Sequence, residues 1–271
     1  MEQARTARAE DFDRVLRVIE RHPVEACAVG AVLYPAGPHA LRSGRLWMHG
    51  DAVCYSGANL LPVNADEQAA RAFADLAIAE GRRCSSIVGR LPATAVLWEA
   101  LRPAWGPARA VRDRQIVMVD EGPCRVTPDP AVRRALPADL GSFFAASVEM
   151  YLEEIGSSPT AHDGGASYRR RAMELIEDGV AFLRTDGDQV VFKAELGATT
   201  PRCAQLQGVW VHPDLRGRGI GTAGTAAVLS LARKCGVRRI SLAVNDYNTP
   251  ARHAYERCGF RAVAEQMVVL F

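Results

Sequence analysis

Lysine is nearly missing from this sequence of 271 residues, in which only Lys193 and Lys234 occur. Arginine supplies the remaining basic charge, which we take as a sign of a GC-rich genome rather than of a function. Lysine and arginine together number 33 against 31 acidic residues, so the formal net charge is only +2. The charge balance therefore indicates neither a nucleic-acid partner nor a membrane surface.

The sequence also lacks the patterns of disulfide-rich, zinc-binding and membrane-spanning proteins. Its seven cysteines are odd in number, scattered and without CxxC spacing, which favours buried thiols in a reducing cytoplasm. No apolar run approaches the roughly 18 residues of a membrane span. The first residues lead into an amphipathic helix and not into a signal peptide. We therefore expect a cytoplasmic protein without a metal site.

Helical and strand patterns alternate through the first half of the chain. A helix is predicted over 66–80, with Asn64 or Asp66 as its cap, and a short helix over 94–101 that ends before Pro103. Strand patterns cover 46–49, 53–63, 84–88 and 111–119.

A turn-rich segment over 121–130 reads as a linker, and the pattern restarts after it. Helices are predicted over 140–155, 168–178, 219–235 and 250–258, and strands over 180–184, 190–196, 205–212, 240–244 and 261–270. Both halves thus run through hairpin strands, a helix, a strand, a short helix and a long last strand. We predict two α/β lobes, each a twisted mixed sheet flanked by helices, over residues 1–122 and 125–271.

The segment after the strand over 205–212 is the most informative in the chain. It reads Arg216-Gly-Arg-Gly-Ile-Gly221 and opens a helix, and the first lobe has no such glycine turn. Three glycines in five positions let a ligand approach the backbone closely. Because the first N–H groups of a helix have no partner within it and carry partial positive charge, this turn suits a phosphate.

Other interpretations of this turn stay open. An ordinary strand-to-helix turn would need the same glycines. Residues 219–224 also spell G-x-G-x-x-G, with Asp246 further on, as in dinucleotide-binding folds. Against that, seven residues from His212 to Arg218 separate the strand from the motif, and too few residues follow it. A Walker A loop is excluded, because no Gly-Lys-Ser/Thr follows.

Residues 205–260 resemble the core of the GCN5-related N-acetyltransferase (GNAT) superfamily. Arg216-x-x-Gly219-x-Gly221 is similar to the pyrophosphate signature of that family, and the series from Asn245 to Phe260 is similar to its second conserved stretch. The tandem layout resembles mycothiol synthases and other actinobacterial proteins that pair a degenerate N-terminal lobe with an acetyltransferase lobe.

The resemblance implies acetyl-CoA as cofactor. It implies that the strand before the turn splays from its neighbour and pairs with pantetheine, and that the turn holds the pyrophosphate. The cofactor-binding residues it implies are Val209, Trp210, Val211, Arg216, Gly217, Arg218, Gly219, Ile220, Gly221, Thr222, Asn245, Asn248 and Ala251.

Tyr255 is the catalytic candidate that the resemblance implies, as proton donor to the departing thiolate. Ala251 lies four residues earlier, so the two share one helix face and the small side chain leaves room for the cofactor. A phenol with a pKa near 10 is protonated at neutral pH, as a general acid must be. A buried core tyrosine is the alternative reading.

The general base stays open. Gln205 falls where several relatives carry a glutamate; glutamine cannot take a proton, but it could position a relaying water. Glu195 is an alternative, and His212 reads as a surface residue.

The resemblance places the acceptor beside the loop after the helix over 140–155, where residues 149–163 offer carboxylates that suit a cationic amine. We expect direct transfer of an acetyl group to an amine of a small molecule or peptide, with a homodimer as one assembly. The alternatives are a non-catalytic acyl-CoA sensor or scaffold, and transfer of another acyl group.

Overall fold

Two copies of one supersecondary unit build the protein. The computed structural model describes residues 3–161 and 163–271; His162, in the predicted acceptor loop, lies outside the described residues. The helices are α1 (Phe12–Arg21), α2 (Cys27–Ala36), α3 (Glu67–Glu80), α4 (Ala93–Trp105), α5 (Leu140–Ile155), α6 (Ala166–Glu177), α7 (Ile220–Lys234) and α8 (Thr249–Arg257). The strands are β1 (Arg5–Thr6), β2 (Leu46–His49), β3 (Ala52–Ser56), β4 (Asn59–Val63), β5 (Ser86–Arg90), β6 (Ala110–Asp120), β7 (Arg133–Arg134), β8 (Ala181–Asp186), β9 (Gln189–Thr199), β10 (Ala204–Val211), β11 (Ile240–Asn245) and β12 (Phe260–Leu270).

The order β1-α1-α2-β2-β3-β4-α3-β5-α4-β6 is followed by β7-α5-α6-β8-β9-β10-α7-β11-α8-β12, so the predicted repeat is confirmed element by element. The likeness extends to side chains. Asp11 accepts two hydrogen bonds from Arg5 before α1, and Asp139 accepts two from Arg133 before α5. We call the unit from β1 to β6 the N-lobe and the unit from β7 to β12 the C-lobe.

One continuous sheet runs through both lobes, in the order β1-β2-β3-β4-β5-β12-β6-β11-β10-β9-β8-β7. The last strand of each lobe is exchanged: β12 pairs with β5, and β6 pairs with β11, both antiparallel. The two exchanged strands also pair with each other over their whole length. The predicted domain boundary at residues 122–125 divides the chain between β6 and β7 and stays a prediction. Each lobe's last strand pairs with strands of the other lobe, so the boundary in the chain is not a boundary in the sheet.

The exchanged strands take part in the cores on both sides of the lobe boundary. Ile116 and Met118 of β6 pack with the α7 and α8 side of the C-lobe, together with Phe192 and Leu206. Met267 and Val269 of β12 pack with α3 and α4 of the N-lobe. A second C-lobe cluster lies under α5 and α6, around Phe143 and Trp210. Each lobe therefore depends on the other for part of its hydrophobic core.

The predicted end of α4 is wrong. The helix continues through Pro103 to Trp105. Proline removes one helical hydrogen bond, but here the two residues beyond it complete the last turn, and the Trp105 ring packs edge-on against Phe271 at 5.7 Å. That aromatic contact with the last residue of the chain offsets the lost bond.

Candidate active site

Helix α7 begins without a side-chain cap, directly after the glycine turn. Gly217 and Gly219 have φ of 74° and 81°, a left-handed conformation that glycine adopts without strain. Gly219 is the N-cap residue, and no side chain among the described residues caps the first turn. The first N–H groups of α7 therefore keep their capacity to bind an anion.

A cavity of about 610 Å³ opens at this helix start. Its wall is formed by the last turn of α5, the end of β10, the glycine turn and helix α8. It is lined by Met150, Glu153, Glu154, Val209, Trp210, Val211, Leu215, Arg216, Gly217, Gly219, Ile220, Gly221, Thr222, Thr225, Asn248, Pro250, Ala251, Ala254, Tyr255 and Arg257.

Strands β10 and β11 separate along the floor of this cavity. In the described part of the chain they pair in parallel only at Ala204 with Ile240 and at Gln205 with Ser241. Beyond that point β11 pairs with β6 on its other edge. The inner edge of β10 from residue 206 onward thus has backbone groups free for a ligand, which fits the splay that the resemblance implies.

A bulge in β10 aims its last residues at the cavity. Between Gln207 and Trp210 the register with β9 shifts by one residue, and Gly208 has φ of 57°. A Cβ at Gly208 would lie 3.0 Å from the Lys193 Nζ. Glycine is therefore needed here both for its conformation and for the space.

A buried ion pair lies directly behind the bulge. Lys193 has no exposed surface, and its Nζ lies 3.3 Å from Glu195 Oε2 and 4.9 Å from the centre of the Phe143 ring. Because a buried charge is costly without a partner, the pair fixes Glu195 at this place. Its carboxylate is 18% exposed.

Tyr255 reaches the cavity from α8. Its ring packs edge-on against Phe260 with centroids 5.8 Å apart, and the residue is 9% exposed. Burial raises the pKa of its phenol, and the nearby carboxylate of Glu154 raises it further. The hydroxyl is therefore protonated at neutral pH and available as a donor. Asn248 Oδ1 accepts a hydrogen bond from the Ala251 N–H at 3.2 Å and so caps this helix.

Most predicted site residues come together in this cavity. The residues that line it are Val209, Trp210, Val211, Arg216, Gly217, Gly219, Ile220, Gly221, Thr222, Asn248, Ala251 and Tyr255. Arg218 is exposed outside the lining. Asn245 also lies outside it, where its Oδ1 accepts a hydrogen bond from Gln115 Nε2 at 2.9 Å.

Gln205 is not brought to Tyr255. Its Oε1 accepts a hydrogen bond from Gln207 Nε2 at 2.9 Å, and both glutamines line a second cavity of about 130 Å³ between the lobes. A catalytic role for Gln205 stays a prediction that this geometry does not support. His212 hydrogen-bonds Gln189 at 2.8 Å and lies outside the lining of the larger cavity.

Arg216 is engaged by the protein itself. Its guanidinium forms a two-point ion pair with Glu153 of α5, and its Nε donates to the Val211 carbonyl at 3.1 Å. The guanidinium lowers the pKa of Glu153. Arg216 therefore joins helix α5 to the glycine turn in addition to carrying positive charge at the turn.

Some lining residues escape sequence reasoning. Thr225 and Ala254 follow Gly221 and Pro250 by one helical turn, so helical spacing from the motif residues is the signal that could have identified them.

Within residues 3–161 and 163–271 there is no cluster of three or more metal-binding side chains. In the same ranges no helix is long and apolar enough to cross a bilayer.

Residues 149–260 match the Acetyltransferase (GNAT) family model, and residues 44–143 match a domain of unknown function, DUF4081. An uncharacterised N-acetyltransferase of Methanocaldococcus jannaschii is 34% identical over 98 residues, which cover 34% of this chain and 43% of the relative. Streptothricin acetyltransferase of Streptomyces lavendulae is 29% identical over 135 residues, 50% of this chain and 65% of the relative. The chain thus spans less than two thirds of either relative.

The fold likeness covers both lobes. A solved structure of a GNAT-family acetyltransferase from Novosphingobium aromaticivorans aligns with 92% of this chain and 97% of its own, with a TM-score of 0.58 at 19% identity. At this identity the likeness concerns the fold alone. The shared fold includes the N-terminal segment that the GNAT model does not match.

Proposed function

We propose that the cavity binds acetyl-CoA and that the protein transfers the acetyl group to an amine, because residues 149–260 match the Acetyltransferase (GNAT) family model. The observation that carries this proposal is the uncapped start of α7, which opens into the same cavity as Tyr255. The same cavity thus offers N–H groups for a phosphate and a hydroxyl that can donate a proton.

The residues present fit the cofactor. The N–H groups from Gly217 to Thr222 suit the pyrophosphate, and the free edge of β10 suits the pantetheine amides. Bound acetyl-CoA supplies the activated acetyl thioester. Residues 209–211 would orient it, and small Ala251 leaves space beside the tyrosine ring.

Tyr255 provides the proton that the sulfur needs. Its hydroxyl lies in a buried place where the raised pKa of the phenol keeps the proton bound until a strong base forms nearby. A thiolate leaving group is such a base, and the tyrosine then recovers a proton from the acceptor nitrogen through solvent. This role is general acid catalysis, typically worth 10²–10⁴-fold in rate.

The acceptor is proposed to be a cationic amine. Glu153 and Glu154 line the cavity with two carboxylates, and Glu195 lies close enough to raise the pKa of Glu154. The similar protein of Methanocaldococcus jannaschii is named an N-acetyltransferase, which supports transfer to nitrogen. The reducing cytoplasm is the proposed compartment, supported by seven free cysteines.

Thermal unfolding with and without acetyl-CoA tests the proposal. A specific ligand at about 100 times its Kd stabilises the fold by about 2.7 kcal/mol, which corresponds to a rise of about 5–10 °C in Tm. Release of free thiol in the presence of a panel of polyamines and amino sugars then tests transfer. Absence of both effects would refute the proposed function.

A further inference from the structure

Strand β6 of the N-lobe forms a hydrogen bond with the C-terminal end of helix α5 in the C-lobe. Arg112 Nη2 donates a hydrogen bond to the Glu154 carbonyl at 3.1 Å, and Arg109 Nη1 donates one to Ser157 Oγ at 2.9 Å. Glu154 lies in the last turn of α5, where carbonyl groups lack helical partners and a cation is favourable. The exchanged strand thus caps the C-terminal end of α5.

The two carboxylates at this helix end differ in their partners. Glu153 is held by both terminal nitrogens of Arg216. Within the described residues, by contrast, no ion pair or hydrogen bond involves the Glu154 carboxylate. It lines the cavity together with Tyr255, and the residue keeps exposed surface although its carboxyl is partly desolvated. Glu154 is therefore the carboxylate free to meet an incoming cation.

Charged and titratable groups from its own helix α5 and from four other elements face Glu154. They are Arg112 on β6, Lys193 and Glu195 on β9, Glu153 on α5, Tyr168 on α6 and Tyr255 on α8. The protein packed around the Glu154 carboxyl raises its pKa, Arg112 and Lys193 oppose that rise, and Glu153 and Glu195 add to it. A carboxyl with a raised pKa is a better proton acceptor.

We propose that Glu154 is the catalytic residue that takes the proton from the acceptor ammonium group, and that Arg112 of the N-lobe is the positioning residue that holds it at the cavity. This inference rests on the proposed function and assigns its missing base. It also gives the N-lobe a part in the chemistry of the C-lobe, through β6.

The proton balance is complete with these two side chains. One proton passes from the ammonium nitrogen to Glu154, and the free amine then attacks the thioester carbon. The C–N bond forms and the C–S bond breaks. The second proton of the amine ends on sulfur through Tyr255, and Glu154 releases its proton to water.

Titration of Tyr255 by ultraviolet absorbance tests the placement without cofactor or turnover. In Glu154→Gln the negative charge near the phenol is gone, so the pKa of Tyr255 should fall. The same titration in a Tyr255→Phe background shows which part of the absorbance change comes from Tyr255. Glu149→Gln, an exposed glutamate of α5 outside the cavity lining, is the matched control and should leave the titration unchanged. An unchanged titration in Glu154→Gln overturns the placement.

Kinetics test the role. In Glu154→Gln we expect kcat/KM to fall by about 10²–10⁴-fold at neutral pH and the acid limb of its pH profile to disappear, while the acetyl-CoA Kd stays within threefold. Glu154→Asp keeps the carboxylate but places it one methylene further from the cavity. It replaces the glutamine variant if that variant folds poorly, and we expect it to retain the acid limb of the profile at a reduced rate. Activity within threefold of the unmodified protein in both variants overturns the role.

Arg112→Met should shift the acid limb and lower kcat/KM by about tenfold, with Arg114→Met, an arginine on the same strand that pairs with Glu265, as control. Equal effects of the two arginine variants overturn the positioning role. Failure of the proposed function looks different: the unmodified protein would neither bind acetyl-CoA nor acetylate any amine.

Discussion

The two lobes treat the same structural position in opposite ways. In the N-lobe, β4 reaches α3 through three residues, and Asp66 Oδ1 accepts a hydrogen bond from the Ala69 N–H at 2.8 Å. In the C-lobe, the glycine turn leaves the start of α7 without a side-chain cap. The start of a helix favours an anion: the N-lobe supplies its own carboxylate, and the C-lobe leaves that place for a ligand.

A second carboxylate strengthens the contrast. Glu25 Oε1 accepts a hydrogen bond from the Asn64 N–H at 3.0 Å, just beyond β4. The N-lobe cavity at this place measures about 530 Å³ and is lined by Glu25, Asp51 and Asp66 among others. Arg90 also lines this cavity and pairs with Glu25, while Asp66 occupies the helix start itself. We therefore expect the N-lobe to disfavour a phosphate at the start of α3 although its fold is intact.

The largest expected effect separates the lobes by activity. Tyr255→Phe should lower kcat by about 10²–10⁴-fold with the acetyl-CoA Kd nearly unchanged, because only the donated proton is lost. Tyr55→Phe, in β3 of the N-lobe, is the control and should keep full activity. Steady-state kinetics with calorimetric binding measure both. Full activity of Tyr255→Phe would contradict the assignment and favour an acyl-CoA sensor.

Converting the C-lobe turn toward the N-lobe arrangement should abolish cofactor affinity. Gly219→Asp places a carboxylate at the N-cap of α7, and we expect the acetyl-CoA Kd to rise by about 100-fold or more through repulsion and occupation of the helix start. Gly219→Asn imposes the same left-handed strain without the charge. Calorimetric titration of both variants isolates the charge effect; equal Kd values would show that strain alone is responsible.

Removing the N-lobe cap tests the other side of the comparison. Asp66→Ala should lower the free energy of unfolding by about 1 kcal/mol, the usual cost of a lost N-cap. Urea denaturation measures this cost. The acetyl-CoA stoichiometry should stay at one per chain, because Glu25 and the short β4–α3 connection remain. A second site in this variant would show that Asp66 alone blocks the N-lobe.

The smallest effect concerns the ion pair that both lobes share. The hydrogen bonds from Arg5 lower the pKa of Asp11 to about 2, and burial of the carboxyl opposes this shift without cancelling it. The hydrogen bonds from Arg133 likewise lower the pKa of Asp139. A depressed carboxyl pKa stabilises the fold above the unfolded value near 3.8, and this contribution disappears as pH falls toward 2. Asp11→Asn and Asp139→Asn should each cost about 1 kcal/mol at pH 7 and almost nothing at pH 2. Unfolding curves at the two pH values measure the difference; equal costs at both would contradict the ionic origin.

The sequence predicts what depends on local signals. Helix α5 begins and ends where apolar spacing and Gly156 place it, and the glycine turn identifies the start of α7. Pro103 is an exception because a tertiary contact, Trp105 on Phe271, decides the end of α4. Local propensity cannot anticipate a contact with the end of the chain.

The strand exchange and the base lie beyond such signals. Strands β6 and β12 have the same length and similar patterns, so the sequence does not say which lobe each completes. The role of Gln205 is predicted by counting residues back from the glycine turn. The bulge at Gly208 changes how side chains alternate between the two faces of β10, so Gln205 and Val209 do not follow simple strand alternation. Arg112 meets Glu154 only because β6 is exchanged.

Calorimetric titration of the unmodified protein with acetyl-CoA tests the central claim most directly. We predict one site per chain, lost in Gly219→Asp and retained in Asp66→Ala. No heat of binding at saturating concentration, or a site that survives Gly219→Asp unchanged, would contradict the assignment of the cofactor to the start of α7.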